Sequence, residues 1–109
     1  MKPAPFTHHA PTSVEEAVAV LREVGHDGKV LAGGQSLIPV LNMRPAQPAH
    51  LVDINGISGL ASVEVSDTAV RVGALVRHAA LKREASARHT LPLLYQALGN
   101  VAHPAIRNR

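Results

Sequence analysis

The segment Val30-Leu31-Ala32-Gly33-Gly34-Gln35-Ser36-Leu37-Ile38-Pro39 joins an apolar run, a pair of glycines and a helix-forming pattern. A chain that leaves a strand through Gly33-Gly34 presents backbone N–H groups that no side chain shields, and such groups bind anions. Val30 and Leu31 favour a strand, the glycines tolerate positive φ, and Ser36 suits the N-cap of a helical turn over residues 37–42. No Lys or Arg lies between residues 30 and 43. A diphosphate held here would therefore rest on main-chain amides and on the Gln35 and Ser36 side chains. The stretch lacks the Gly-Lys-Ser/Thr ending of a P-loop and the third glycine of the dinucleotide fingerprint. Two glycines after a strand also suit a plain turn, and the local sequence leaves both readings open.

The other reactive residues form no comparable group. His8-His9 are adjacent, so on a strand they point to opposite faces, and no third ligand stands at metal spacing; they read as a surface pair. Ser13, Ser36, His26 and Asp53 do not approach the context of a hydrolase triad, and Gly-x-Ser-x-Gly is absent. His103-Pro104 suits either an anchor for a loop beside a ligand or a helix-ending turn, and the residues alone favour the turn. Arg107 and Arg109 suit either a phosphate contact or exposed terminal charge. With no cysteine, disulfides and thiolate metal sites are excluded.

The elements that must position these residues come from a chain of 109 residues, a length that suits one small domain. Its core must be aliphatic, because Phe6 and Tyr95 are the only aromatic residues. The formal charge of +3 is carried by scattered Lys and Arg without interleaved aromatic residues, which argues against nucleic acid. No run of 18 apolar residues marks a membrane span, and residues 1–5 lack a hydrophobic signal core, so the expected compartment is the cytoplasm.

Strand and helix signals alternate. Residues 6–9 form a first short strand closed by Pro11. Ser13-x-x-Glu16 is a capping box, and Val14, Ala17, Val18, Leu21 and Val24 keep helical spacing until Gly25. A turn at His26-Asp27-Gly28 leads into a strand over residues 29–32, then the glycine loop and a short helix. A further strand covers residues 51–54, with turns at Asn55-Gly56 and Ser58-Gly59. A hairpin joins residues 63–65 and 69–72 through Ser66-Asp67-Thr68. Helices are expected over residues 78–87 and 92–98. The pattern is βαβ followed by a β-rich segment and helices, an α/β or α+β domain.

Four ordered blocks carry a resemblance: Ala32-Gly33-Gly34-Gln35-Ser36-Leu37-Ile38-Pro39, Leu51-Val52-Asp53-Ile54, Val72-Gly73-Ala74-Leu75, and His103-Pro104 with Ile106-Arg107-Asn108-Arg109. In order and spacing the chain resembles the N-terminal part of the FAD-binding (medium) subunit of molybdenum hydroxylases, the group of carbon monoxide dehydrogenase and xanthine dehydrogenase. The resemblance implies the N-terminal subdomain of a vanillyl-alcohol-oxidase-type FAD-binding domain, a small mixed sheet with flanking helices. It maps Val30, Leu31, Ala32, Gly33, Gly34, Gln35, Ser36 and Leu37 onto the first pyrophosphate-binding loop, with Gly33, Gly34, Gln35 and Ser36 as the central contacts. It maps Val101 and Ala102 onto a segment that approaches the flavin, and Asp53 onto a recurrent position read here as structural, accepting hydrogen bonds in a turn.

The implied activity is electron relay. FAD would take electrons from iron–sulfur clusters and pass them to an acceptor, in a heterotrimer with an iron–sulfur subunit and a molybdopterin subunit. Two departures stand out. Ala105 occupies a position where relatives often carry Gln, and the chain stops at Arg109, before the Gly-Thr-x-Gly-Gly of the second FAD loop. The expectation is thus a fragment of an oxidoreductase subunit, 1–109, truncated before that loop. Alone it would be inactive, bind FAD weakly and expose apolar surface. The alternative is a cofactor-free α/β interaction module.

Overall fold

A computed structural model describes all residues, Met1–Arg109, as two compact units, Met1–Ser58 and Gly59–Arg109. The first unit is a three-stranded parallel sheet of β1 (Thr7–His9), β2 (Gly28–Leu31) and β3 (His50–Asp53), flanked by α1 (Val14–Val24) and α2 (Leu37–Met43). Strand order is β1-β3-β2, with His9 opposite Val52 and Leu31 opposite Asp53. The central strand is covered on both faces, and Leu51 and Val52, which point to opposite sides, are essentially inaccessible at 1% and 0%. Ala17 of α1, Leu41 of α2 and Ile57 complete this aliphatic core.

The capping signal works with one change of partner. The Ser13 Oγ accepts the Glu16 amide at 3.1 Å, while the Glu16 carboxylate accepts from the Thr12 amide at 2.9 Å and from the Thr12 hydroxyl at 3.3 Å. The reciprocal bond of the box therefore falls one residue earlier than in the ideal motif. Gly25 closes α1 with φ of 55° and donates its N–H to the Leu21 carbonyl, and the turn after it is a short 3-10 segment, Gly25–Asp27.

The second unit opens with an antiparallel pair, β4 (Val63–Val65) and β5 (Val70–Val72), in which Val63 faces Val72 and Val65 faces Val70. The parallel and antiparallel pairing of this α/β chain is thus divided between two sheets. Four helices follow: α3 (His78–Arg83), α4 (Ala85–Thr90), α5 (Pro92–Asn100) and α6 (Pro104–Arg107). Leu81, Ala87 and Leu98 form its core, with Val63, Val65, Val70, Val76 and Leu94 packed against them.

Two elements differ from the sequence-based expectation. The helix expected over residues 78–87 is broken at Glu84, whose ψ of 101° is extended. In an unbroken helix Leu81 and Ala87 would stand about 120° apart around the axis, and the break lets both reach Leu98. His103-Pro104 does not end a helix. It starts α6, with His103 extended at the N-cap and Pro104 in the first turn. No helix is long and apolar enough to cross a membrane.

Candidate functional site

The glycine loop leaves the C-terminal end of β2 beside the central strand. The carbonyls of residues 31–34 are spoken for. The Leu31 carbonyl accepts the Ile54 amide at 3.0 Å, that of Ala32 accepts the Asn55 side-chain Nδ2 at 2.9 Å, and that of Gly34 accepts the Ile38 amide at 2.9 Å. The Gly33 carbonyl receives a longer bond, 3.4 Å, from Gln35 Nε2. The amides on the same stretch have the opposite fate: those of Gly33, Gly34, Gln35 and Ser36 donate to no acceptor of the chain. Carbonyls bonded inward and N–H groups left open make the loop a local positive pole, the arrangement that cradles anionic oxygens.

Gly34 fixes this shape. Its φ of 74° lies in the left-handed region, and a Cβ there would stand 3.0 Å from Ile38 Cγ1 and 3.2 Å from Leu31 Cδ1. Gln35 and Ser36 are exposed, and Gly33 and Gly34 half-exposed, so a ligand can reach the open amides. Ser36 does not cap α2. It is already helical at φ −96°, ψ −40°, and its side chain makes no capping bond, because the helical turn begins two residues earlier with the Gly34 carbonyl. Its hydroxyl is thereby left for a ligand. Val30 is exposed, whereas Leu31, Ala32 and Leu37 are half-buried and anchor the loop.

Asp53 and Asn55 form the base of the loop. Asp53 Oδ1 accepts from the Asn55 amide at 2.9 Å and from Asn55 Nδ2 at 2.7 Å, the turn role expected for this aspartate. Its Oδ2 lies 3.2 Å from His8 Nε2. Burial opposes ionisation of this carboxyl, but the bonds from Asn55 and the nearby His8 outweigh it and hold Asp53 below the usual 3.8. Sequence reasoning missed Asn55 as the tether of the Ala32 carbonyl. An Asp-x-Asn turn after a strand was the available signal, but its cross-strand partner was not local. His8 and His9 do point apart, His8 to Asp53 and His9 Nε2 to His50 Nδ1 at 3.0 Å.

Val101 belongs to the second unit, where it is the exposed C-cap of α5. Arg107, read from sequence as a phosphate contact or free terminal charge, is neither. Its guanidinium donates to the carbonyls of Val101 and Gly99, each at 2.8 Å, and of Ala102 at 3.1 Å. That clasp holds Ala102 at a φ of 51°, a left-handed conformation alanine adopts only under such constraint.

The donor set of the 33–36 loop, four amides with a hydroxyl and a carboxamide and no carboxylate, fits a diphosphate. Comparison with known proteins gives the family. Residues 4–109 match the family described as the FAD binding domain in molybdopterin dehydrogenase. The chain is 47% identical, over its whole length, to the 6-hydroxypseudooxynicotine dehydrogenase complex subunit alpha of Paenarthrobacter nicotinovorans. It is 45% identical to the caffeine dehydrogenase subunit beta of a Pseudomonas species. Among solved structures it superimposes on carbon monoxide dehydrogenase from Hydrogenophaga pseudoflava with a TM-score of 0.94 and 44% identity, covering 100% of this chain and 38% of that one. The chain spans 37% of the length of the first two relatives. With the family matched over nearly every residue, the chain belongs to the FAD-binding domains of the molybdopterin dehydrogenases.

Proposed function

We propose that residues 1–109 are the first part of an FAD-binding domain in which the open amides of Gly33, Gly34, Gln35 and Ser36 grip the diphosphate of the cofactor. Val30, Leu31, Ala32 and Leu37 shape that grip from the strand and helix on either side, and Val101 meets the flavin side. The observation that carries the reading is the asymmetry of the loop, in which the carbonyls of residues 31–34 are bonded within the chain while the amides of residues 33–36 are not. FAD, when bound, supplies the redox chemistry. The chain's own contribution is to bind and orient it with neutral donors, which stabilise charge without adding a competing ion pair.

In the complete subunit this grip serves an electron relay from iron–sulfur centres through FAD to an acceptor. The subunit would act beside an iron–sulfur subunit and a molybdopterin subunit in a cytoplasmic heterotrimer. The relatives' names support the assembly, since they describe subunits of dehydrogenases. Because the match covers little more than a third of those relatives, we propose that further FAD contacts come from outside residues 1–109 and that this stretch alone retains the cofactor weakly.

The test is flavin absorbance of the purified complete subunit and of its Gly34→Val variant. The expected result is a yellow parent and a variant that has lost at least about tenfold in FAD affinity. A colourless parent, or a variant that binds as tightly as the parent, would contradict the reading and favour a cofactor-free interaction module.

A further inference from the structure

The chain's charge is divided unevenly. Residues 59–109 carry seven Lys and Arg against three Asp and Glu, whereas residues 1–58 carry four against five. Within the second unit the cations Lys82, Arg83 and Arg88 fall on α3 and α4, and no carboxylate of the chain lies within ion-pair distance of them. The one acidic residue among them, Glu84, accepts the Ser86 hydroxyl at 2.7 Å.

Of these cations Arg88 lines an open recess of about 630 Å³, together with Ala85, His89, Pro92, Tyr95 and Gln96. Tyr95 is the only tyrosine. The Arg88 guanidinium stands 4.8 Å from its ring centroid and the Lys82 ammonium 5.9 Å from it. A guanidinium laid over a ring is restrained without a hydrogen-bonding partner, so its N–H fork stays available for an incoming carboxylate. The side chains of Arg88, His89 and Gln96 take no hydrogen bond or ion pair within the chain.

We infer that this face of α4 and α5 is a docking surface for an acidic segment of another protein chain. The geometry selects that occupant in two ways. The recess is open, and its Tyr95 ring is approached by Arg88 of α4 and by Lys82 of α3, which suits several carboxylates on one strand better than a single small anion, because isolated exposed charges bind weakly. A nucleic acid would need an aromatic face for base stacking, and Arg88 already covers the ring of Tyr95. The inference is independent of FAD and uses no residue of the glycine loop.

The probe is a synthetic ten-residue glutamate peptide, titrated into the isotopically labelled complete subunit while backbone amide shifts are followed. The shifts should cluster on α4 and α5, and Arg88→Glu should weaken binding about tenfold or more. Tyr95→Leu should weaken it several-fold, whereas Tyr95→Phe, which keeps the ring, should bind like the parent. Arg71→Glu is the control for bulk charge, since Arg71 is paired with Glu64 at 3.5 Å on the hairpin. Arg88→Gln repeats the test without reversing the charge, and circular dichroism checks that each variant folds. Equal losses for Arg71→Glu and Arg88→Glu would overturn the inference by reducing it to net charge. Displacement of the peptide by inorganic phosphate at about millimolar concentration would overturn it in favour of a small-anion site.

Discussion

Gly34 concentrates two constraints in one residue. Its φ of 74° disfavours any side chain, and the nearest atoms, on Ile38 and Leu31, leave a Cβ only 3.0 and 3.2 Å. Gly25 shares the positive φ, at 55°, but a Cβ there meets nothing within 4 Å. Gly25→Ala should therefore cost about 1 kcal/mol from backbone strain alone, and Gly34→Ala measurably more, by about a further 1 kcal/mol, in urea unfolding. Equal losses would mean that the tight packing of the loop against Ile38 is not real. Asp53 makes a prediction of a different kind. Its native pKa is lowered, so its contribution to stability is present above the ordinary value of 3.8 and is lost as pH falls through the lower native one. Asp53→Asn should flatten the stability profile below about pH 4 while changing it little in shape near neutrality. A variant with the parent's acid limb would contradict this assignment.

At the scale of elements, α1 depends on its first turn. Ser13→Ala removes the acceptor of the Glu16 amide and should cost about 1 kcal/mol. Glu16→Ala should also destabilise, because two bonds to Thr12 are lost with the carboxylate. Both are read by thermal unfolding, and a neutral Ser13→Ala would show that the helix end is held by packing alone. This element was legible in the sequence, since caps, apolar spacing and the terminal glycine are all local signals. The split between α3 and α4 was not. Residues 78–87 favour a helix throughout, and the reason to break it lies in the core, where Leu81 and Ala87 must meet Leu98. The role of Arg107 was hidden for the same reason, because its three carbonyl partners become neighbours only after α5 ends and the chain turns back.

For the whole molecule, the sequence carried the α/β class and the strand positions, but not which strands are neighbours. β3 lies between β1 and β2 because Leu51 and Val52, the most deeply buried strand residues, need cover on both faces, a demand met only by distant segments. The candidate loop was legible because it is contiguous, while its tether through Asn55 was not. The first unit also exposes Val30 at 46%, Ile38 at 41% and Met43 at 68%. Residues 1–109 alone should consequently self-associate as concentration rises, seen by sedimentation velocity, and Met43→Lys should reduce that association. A parent that stays monomeric throughout would contradict the expectation.

The central claim is that the unpaired amides of Gly33, Gly34, Gln35 and Ser36 hold the diphosphate. Hydrogen exchange of those four amides in the complete subunit, with and without FAD, tests it most directly. Protection of about tenfold or more on adding FAD is the predicted result. Exchange that stays fast while flavin absorbance proves the cofactor bound would contradict the account.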